Sequence, residues 1–240
     1  MPHFSRRSYQ PELMDDLTLD SQALATNLRE LEYINTYLGG NAVALKGLKY
    51  FVARSHLPLS VADVGCGGGD TLRCFAQWAH KKRIDLQLTG YDANPFMIRY
   101  AESHPRHLPI IRYRCMDLWS EEFGTVQHDV FVLSLFCHHF TDEQLAQLLP
   151  KLLQQARKGI IINDLHRHPL AYYGIGLLTR MLRGSYLVQH DAPLSVLRAF
   201  RRHELEQLLQ PLAPHRWQIS WHWAFRYLVL IEKAGNTESR

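Results

Sequence analysis

The residues with the clearest chemical meaning stand in one stretch, Val61-Ala62-Asp63-Val64-Gly65-Cys66-Gly67-Gly68-Gly69-Asp70-Thr71. Apolar residues lead in from Leu57 and Leu59, glycines alternate at Gly65, Gly67 and Gly69, and Leu72, Phe75, Ala76 and Ala79 follow at helical spacing. Strand, glycine turn and helix in that order bring a backbone close to a ligand, because glycine has no Cβ and tolerates positive φ. Spacing narrows the ligand. A dinucleotide fingerprint needs G-x-G-x-x-G, but counting from Gly65 puts the third glycine at Asp70, and counting from Gly67 puts it at Leu72. No Gly-Lys-Ser/Thr follows, which excludes a P-loop. What remains is D-x-G-x-G-x-G, headed by Asp63; the plain alternative is a glycine turn in an α/β protein.

Two further acidic markers follow. Thr89-Gly90-Tyr91-Asp92-Ala93-Asn94-Pro95 closes a second apolar run that starts at Leu86. A carboxylate at the end of a second strand, roughly 20 residues past the glycines, can accept both hydroxyls of a ribose, so Asp92 reads as a ribose ligand. Asn94 suits an N-cap and Pro95 the first helical turn. The third marker is Arg114-Cys115-Met116-Asp117-Leu118, after Ile110, Ile111 and Tyr113. Taken alone, an aspartate there is equally a turn residue.

The three markers in this order resemble the class I S-adenosylmethionine (SAM)-dependent methyltransferase superfamily. That resemblance implies a Rossmann-like α/β fold, a seven-stranded mostly parallel sheet with an antiparallel last strand, and SAM as cofactor. It implies that the glycine loop lies beside the methionine part, that Asp63 helps place its amino group, and that Asp117 meets the adenine amino group between Met116 and Leu118. Gly65, Cys66, Gly67, Gly69, Ala93 and Ser134 complete the expected cofactor contacts. The resemblance covers 59–164 by motif and 200–233 by element order. Segments 1–58 and 165–200 are similar to parts of small-molecule methyltransferases of polyketide and quinone pathways.

The elements that must position these residues alternate strand and helix, as in a parallel sheet covered on both faces. Strands are expected near 59–65, 85–91 and 109–115, then over Val130 to Phe136, then from Gly159. Helices are expected near 70–80 and 95–104, and from Thr141, whose hydroxyl pairs with Gln144 in a capping box; Pro150 is a potential kink. Ahead of this core, residues 1 to about 20 are a polar arm, loose unless docked. A helix from Ser21 carries Leu24, Leu28, Leu31, Ile34 and Leu38 on one stripe and ends at Gly39-Gly40; Asn41 can cap the next. The expected division is 1–58 as an N-terminal helical cover and 59–240 as the catalytic domain, with 165–200 as a lid-like insertion. The alternative for the first two helices is plain packing on the sheet edge. Within the insertion, Leu170 to Leu182 reads as an apolar helix, His190-Asp191-Ala192-Pro193 as a break with Asp191 a turn or cap residue, and 194–210 as a helix. Two strands, Trp217 to Phe225 and Arg226 to Glu232, close the chain.

Composition bounds the function. With 240 residues and 46% apolar content, one domain with an N-terminal extension is expected, with a full core. A net charge of +4 is too small to indicate a nucleic-acid protein. Cys66, Cys74, Cys115 and Cys137 show no C-x-x-C spacing and suit a reducing compartment. No apolar run reaches the ~18 residues of a span, and Arg6-Arg7 have no apolar core behind them to make a signal peptide. The expected location is the cytoplasm, with no membrane or nucleic-acid partner and an open oligomeric state.

Methyl transfer from a sulfonium is an in-line displacement, so alignment and exclusion of water are much of the work. A phenolic acceptor also needs a modest base, placed at the C-terminal ends of the strands. Cys137-His138-His139-Phe140 and Asn163-Asp164-Leu165-His166-Arg167-His168 supply candidates; His139 and then His166 are the expected bases. Strand alternation implies that His138 and His139 cannot both enter the site. Arg167, Arg180 and Arg183 are candidates to meet an acidic substrate. No metal is expected: strand 4 lacks the acidic end of a magnesium site, and no compact zinc spacing appears. The expected activity is SAM-dependent O-methylation of a phenolic or polyketide-like small molecule. An RNA or protein methyltransferase and a non-catalytic SAM-binding module are the alternatives; the first lacks an Asn/Asp-Pro-Pro-aromatic motif after strand 4.

Overall fold

The computed structural model describes residues 2–16 and 22–235. Seven strands form one sheet: β1 (Leu59–Val64), β2 (Leu86–Asp92), β3 (Ile111–Cys115), β4 (His128–Ser134), β5 (Ala156–Leu165), β6 (Arg216–His222) and β7 (Arg226–Glu232). Their order is β3-β2-β1-β4-β5-β7-β6, and β7 alone runs against the direction of the other six. This is the expected Rossmann-like methyltransferase sheet. Nine helices accompany it among the described residues: α1 (Gln22–Tyr37), α2 (Gly40–Val52), α3 (Asp70–Lys82), α4 (Pro95–Ser103), α5 (Glu121–Gly124), α6 (Asp142–Gln155), α7 (Pro169–Met181), α8 (Tyr186–Arg198) and α9 (Arg202–Leu209).

Neighbouring side chains on a strand face opposite ways, and the core divides accordingly. Val61, Val130, Val132 and Ile161 pack with α2, α3 and α4 on one face. Ala62, Val64, Phe131, Leu133 and Ile160 pack with α5, α6 and α9 on the other. Every residue of β1 is buried, as befits a central strand covered twice. The Thr141–Gln144 capping box forms as the sequence predicts, and Asn94 caps α4 with Pro95 in its first turn.

Several boundaries depart from expectation. β4 stops at Ser134 rather than Phe136, because Leu135 adopts φ 53° and the chain turns into a 3₁₀ turn, Cys137–His139. Gly39, in the left-handed region at φ 78°, is the N-cap of α2 in place of Asn41. The expected break at 190–193 is absent: α8 runs through it, and burial of Leu187, Val188, Leu194 and Val196 outweighs the bond that Pro193 cannot donate. The expected helix over 194–210 is two helices, α8 and α9, parted at 199–201. Asp191 is therefore no turn residue; its carboxylate accepts the Leu13 and Met14 N–H groups at 2.9 and 3.0 Å. Those bonds cap the short 3₁₀ helix Leu13–Asp15, so the described part of the arm is docked. Ser21, expected at a helix start, lies outside the described residues. Arg167 is a structural cation rather than a substrate contact: it donates to Phe4 O, Ala199 O and the Glu204 carboxylate at 3.0, 2.5 and 2.5 Å.

Helix α2 reaches its place because Gly47 lets it lie against the sheet. A Cβ there would stand 2.6 Å from Ile161 Cγ2, with Leu228 and Leu230 close behind. Gly47→Ala is expected to lower unfolding free energy by about 1–3 kcal/mol through overpacking, despite alanine's better helix propensity; a urea melt with an unchanged or higher midpoint would contradict this close fit.

Candidate active site

Two cavities adjoin at the C-terminal edge of the sheet, where ligands bind in open α/β folds. The smaller, about 200 Å³, has Asp92, Ala93, Met97, Met116 and Leu118 in its wall. The larger, about 410 Å³, is walled by Leu28, Leu31, Ile34 and Leu38 of α1 and by Ile175 and Leu178 of α7. Met14, Gly65, Gly67, Leu135 and His139 line both. The apolar stripe of α1 thus starts in the core at Leu24 and turns toward a cavity further on.

The glycine turn meets the space it is shaped for. Gly67 has φ 50°, and a Cβ there would have no atom within 4 Å, so its backbone is open to a ligand. The Asp92 Oδ2 accepts the Gly67 N–H and its Oδ1 the Asn94 N–H, both at 2.9 Å. Burial pushes the Asp92 carboxyl up, and those two donors pull it back. Asp63 is only 2% exposed and has one oxygen, Oδ1, with no partner. Burial, followed by Asp70 and Asp92, pushes its carboxyl well above the usual range. An ammonium placed beside Asp63 would relieve that penalty. An open backbone turn, a carboxylate with lone pairs to spare and a carboxyl short of a cation fit the adenosyl amino acid that the sequence implies.

Other expected residues divide. Cys66 and Ser134 line the larger cavity, and Ser134 Oγ accepts from Asn163 Nδ2 at 2.8 Å. Gly69 lies outside both linings as the left-handed N-cap of α3. Asp117 is exposed and outside them too; its Oδ1 accepts the Trp119 N–H at 2.9 Å, which is turn chemistry.

The histidines also sort themselves. His166 lies off the cavity: Leu165 faces it, and the next residue on an extended chain points away. The His166 Nδ1 accepts from Trp221 Nε1 at 3.3 Å, and burial with His168 lowers its pKa to about 4. His138 and His139 both line the larger cavity. Strand alternation does not apply to them, because they sit in the 3₁₀ turn, with ring centroids 4.3 Å apart. The His139 Nδ1 lies 2.6 Å from Asp15 Oδ1. His138 is buried between Asp164 Oδ1 at 2.7 Å and Glu12 Oε1 at 3.5 Å. Burial opposes its charge, but Asp164 and then Glu12 outweigh it and hold the His138 pKa at about 9. Glu12, His138 and His139 also bring ligand-type atoms within 4.8 Å of one another, a metal-sized group.

The arm residues Glu12 and Asp15, and Arg226 of β7, join the site without a signal in the sequence pattern. Glu12 meets His138 across more than a hundred residues, and no local pattern encodes such a pairing. Arg226 reads in sequence only as the first residue of a strand, yet it is buried and lines the larger cavity.

Residues 61–159 match the family model described as a methyltransferase domain. A search of curated proteins by sequence finds no match. Among solved structures, the plantazolicin methyltransferase BpumL in complex with SAH aligns at TM-score 0.61 and 19% identity, covering 90% of this chain and 91% of that one. Human N-acetylserotonin methyltransferase with SAM aligns at 0.59 and 15%, covering 88% and 55%. An O-methyltransferase family 2 protein of Planctomyces limnophilus, in complex with apigenin, aligns at 0.54 and 18%, covering 73% and 51%. Those likenesses establish the fold, and the family model matches the stretch from β1 to β5 within it. Its fold is that of class I SAM-dependent methyltransferases, and residues 61–159 are similar to the methyltransferase domain family.

A pH prediction follows from the His138 charge. Its folded pKa of about 9 exceeds the ordinary ~6.5 of an unfolded histidine. The stability it contributes is fully present below ~6.5 and is lost as pH rises through about 9. The wild-type melting temperature is expected to fall across that window, and that of His138→Gln to fall less. Parallel curves for the two proteins would show that His138 is not charged in the folded state.

Proposed function

We propose that the chain is a SAM-dependent methyltransferase acting on an apolar small molecule, with O-methylation of a phenolic or polyketide-like acceptor as the reaction. The observation that carries this reading is the larger cavity: α1 and α7 give it apolar walls, and it meets the smaller one at Gly67 and His139. Such a chamber suits an apolar acceptor better than a strand of RNA. Two similar structures, a plantazolicin methyltransferase and an O-methyltransferase in complex with apigenin, support a small-molecule acceptor. The free cysteines support the cytoplasm as its location.

Bound SAM supplies an electrophilic methyl group on sulfur. In this reading Asp92 takes the ribose hydroxyls, Asp63 takes the ammonium, and Met116 and Leu118 flank the adenine. Asp117, turned toward Trp119, leaves the adenine amino group to other partners. His139 is the base. With Nδ1–H donating to Asp15, its Nε2 is free to take the phenolic proton. The docked arm, with α1 as a cover and α7 as a lid, excludes water from the reacting atoms.

His139→Ala is expected to lower kcat by roughly 10²–10⁴-fold and to leave SAH affinity near wild type. The deficit should shrink as acceptor phenols grow more acidic, since an ionised phenol needs no base. Radiolabelled SAM with a graded phenol series reads this directly. A deficit independent of phenol acidity would remove His139 as base, and no methylation of any apolar acceptor would remove the substrate class.

A further inference from the structure

Arg226 begins β7 at the wall of the larger cavity and is 2% exposed. One nitrogen, Nη2, donates to Asn35 Oδ1 at 3.2 Å. Its other two, Nε and Nη1, are buried with no hydrogen-bond partner. Nearby carboxylates are engaged elsewhere: Asp164 Oδ1 lies 2.7 Å from His138 Nδ1, and Asp70 Oδ2 accepts from Asn35 Nδ2 at 3.3 Å. Burying a guanidinium without a direct counter-ion is costly, and a native fold retains it where something else completes the pair.

A second feature points the same way. The guanidinium lies against the first turn of α2, so closely that a Cβ on Gly40 would stand 2.9 Å from Arg226 Cζ. A helix N-terminus carries partial positive charge and open N–H groups. The N-cap of α2 is Gly39, and no side chain caps it. A cation is the wrong group to leave alone at that end, whereas an anion beside it would meet both the guanidinium and the helix.

We propose that Arg226, held by Asn35 and backed by the N-terminus of α2, is a carboxylate-binding subsite of the larger cavity. It rests on the reading of that cavity as the place where cofactor and acceptor meet. A monoanion matches one guanidinium, and the same cavity holds Asp63, which lacks a cation. A molecule with an ammonium toward Asp63 and a carboxylate toward Arg226 answers both deficits. The carboxylate has two sources: the amino-acid end of the cofactor, or an acid group on the acceptor.

Calorimetry on the full chain separates them. One arm compares SAH with its decarboxylated analogue, the aminopropyl thioether of adenosine. The other compares nonylbenzoic acid with nonylphenol, each in the presence of saturating SAH. Wild type is expected to favour the carboxylate of one pair by at least about tenfold, the strength of a charge-assisted hydrogen bond. Arg226→Met should abolish that preference, and Arg226→Lys should retain part of it. Preference in the first pair assigns the subsite to the cofactor, and preference in the second assigns it to the acceptor. Wild-type indifference in both pairs overturns the proposal with no variant needed, as does a preference that survives in Arg226→Met. If both adenosyl ligands bind equally, the cofactor assignment stands while that source falls. If neither binds, the cofactor assignment fails and takes the subsite with it.

Discussion

The site depends on one buried charge. His138 sits between Asp164, on the last-laid parallel strand, and Glu12, on the N-terminal arm. A lone imidazolium in that position would shed its proton, and two lone carboxylates would take one up. Together the three groups stay ionised, and the distant segments that carry them are drawn to one point. Around them Arg198 donates to Asp15 and to the His138 and His139 carbonyls at 2.8, 3.2 and 3.0 Å. Arg7 donates to Asp142 and to the Phe140 carbonyl at 2.5 and 2.9 Å. The polar ring binds the arm, α8 and the 3₁₀ turn after β4 into one wall.

That wall gives the cavity its chemistry. The 3₁₀ turn presents His138 inward as a structural cation and His139 beside it as a group with a free edge. Asp15 reaches His139 from the short helix that Asp191 caps, held also by Arg198. The sheet supplies the other side: a glycine turn after β1, a carboxylate at the end of β2 and the apolar pair Met116 and Leu118 after β3. Between wall and sheet lie the two joined spaces, the smaller beside Asp92, Met116 and Leu118 and the larger beside Asp63 and the leucines of α1.

What was legible in the sequence was local. The glycine spacing, the carboxylates at 63 and 92 and the alternation of strand and helix all rest on short-range rules, and the sheet followed them. Asp117 shows the limit of a motif read alone: Met116 and Leu118 face the cavity, while the aspartate between them serves its own turn. His138 and His139 defied the alternation rule because Leu135 ends the strand early. Asp191 and Pro193 look like a break in sequence, yet burial of the surrounding residues carries α8 through. Glu12, Asp15 and Arg226 acquire their roles by pairing across the chain, which no local spacing records.

The position of the cofactor relative to His139 is the most direct test. A crystal structure of the chain with SAH measures it. The adenine should lie between Met116 and Leu118, the ribose hydroxyls on Asp92, and the sulfur at the strip shared by both cavities, facing His139. A sulfur turned away from that strip, or an adenosine lodged against α1 and α7, would contradict the account.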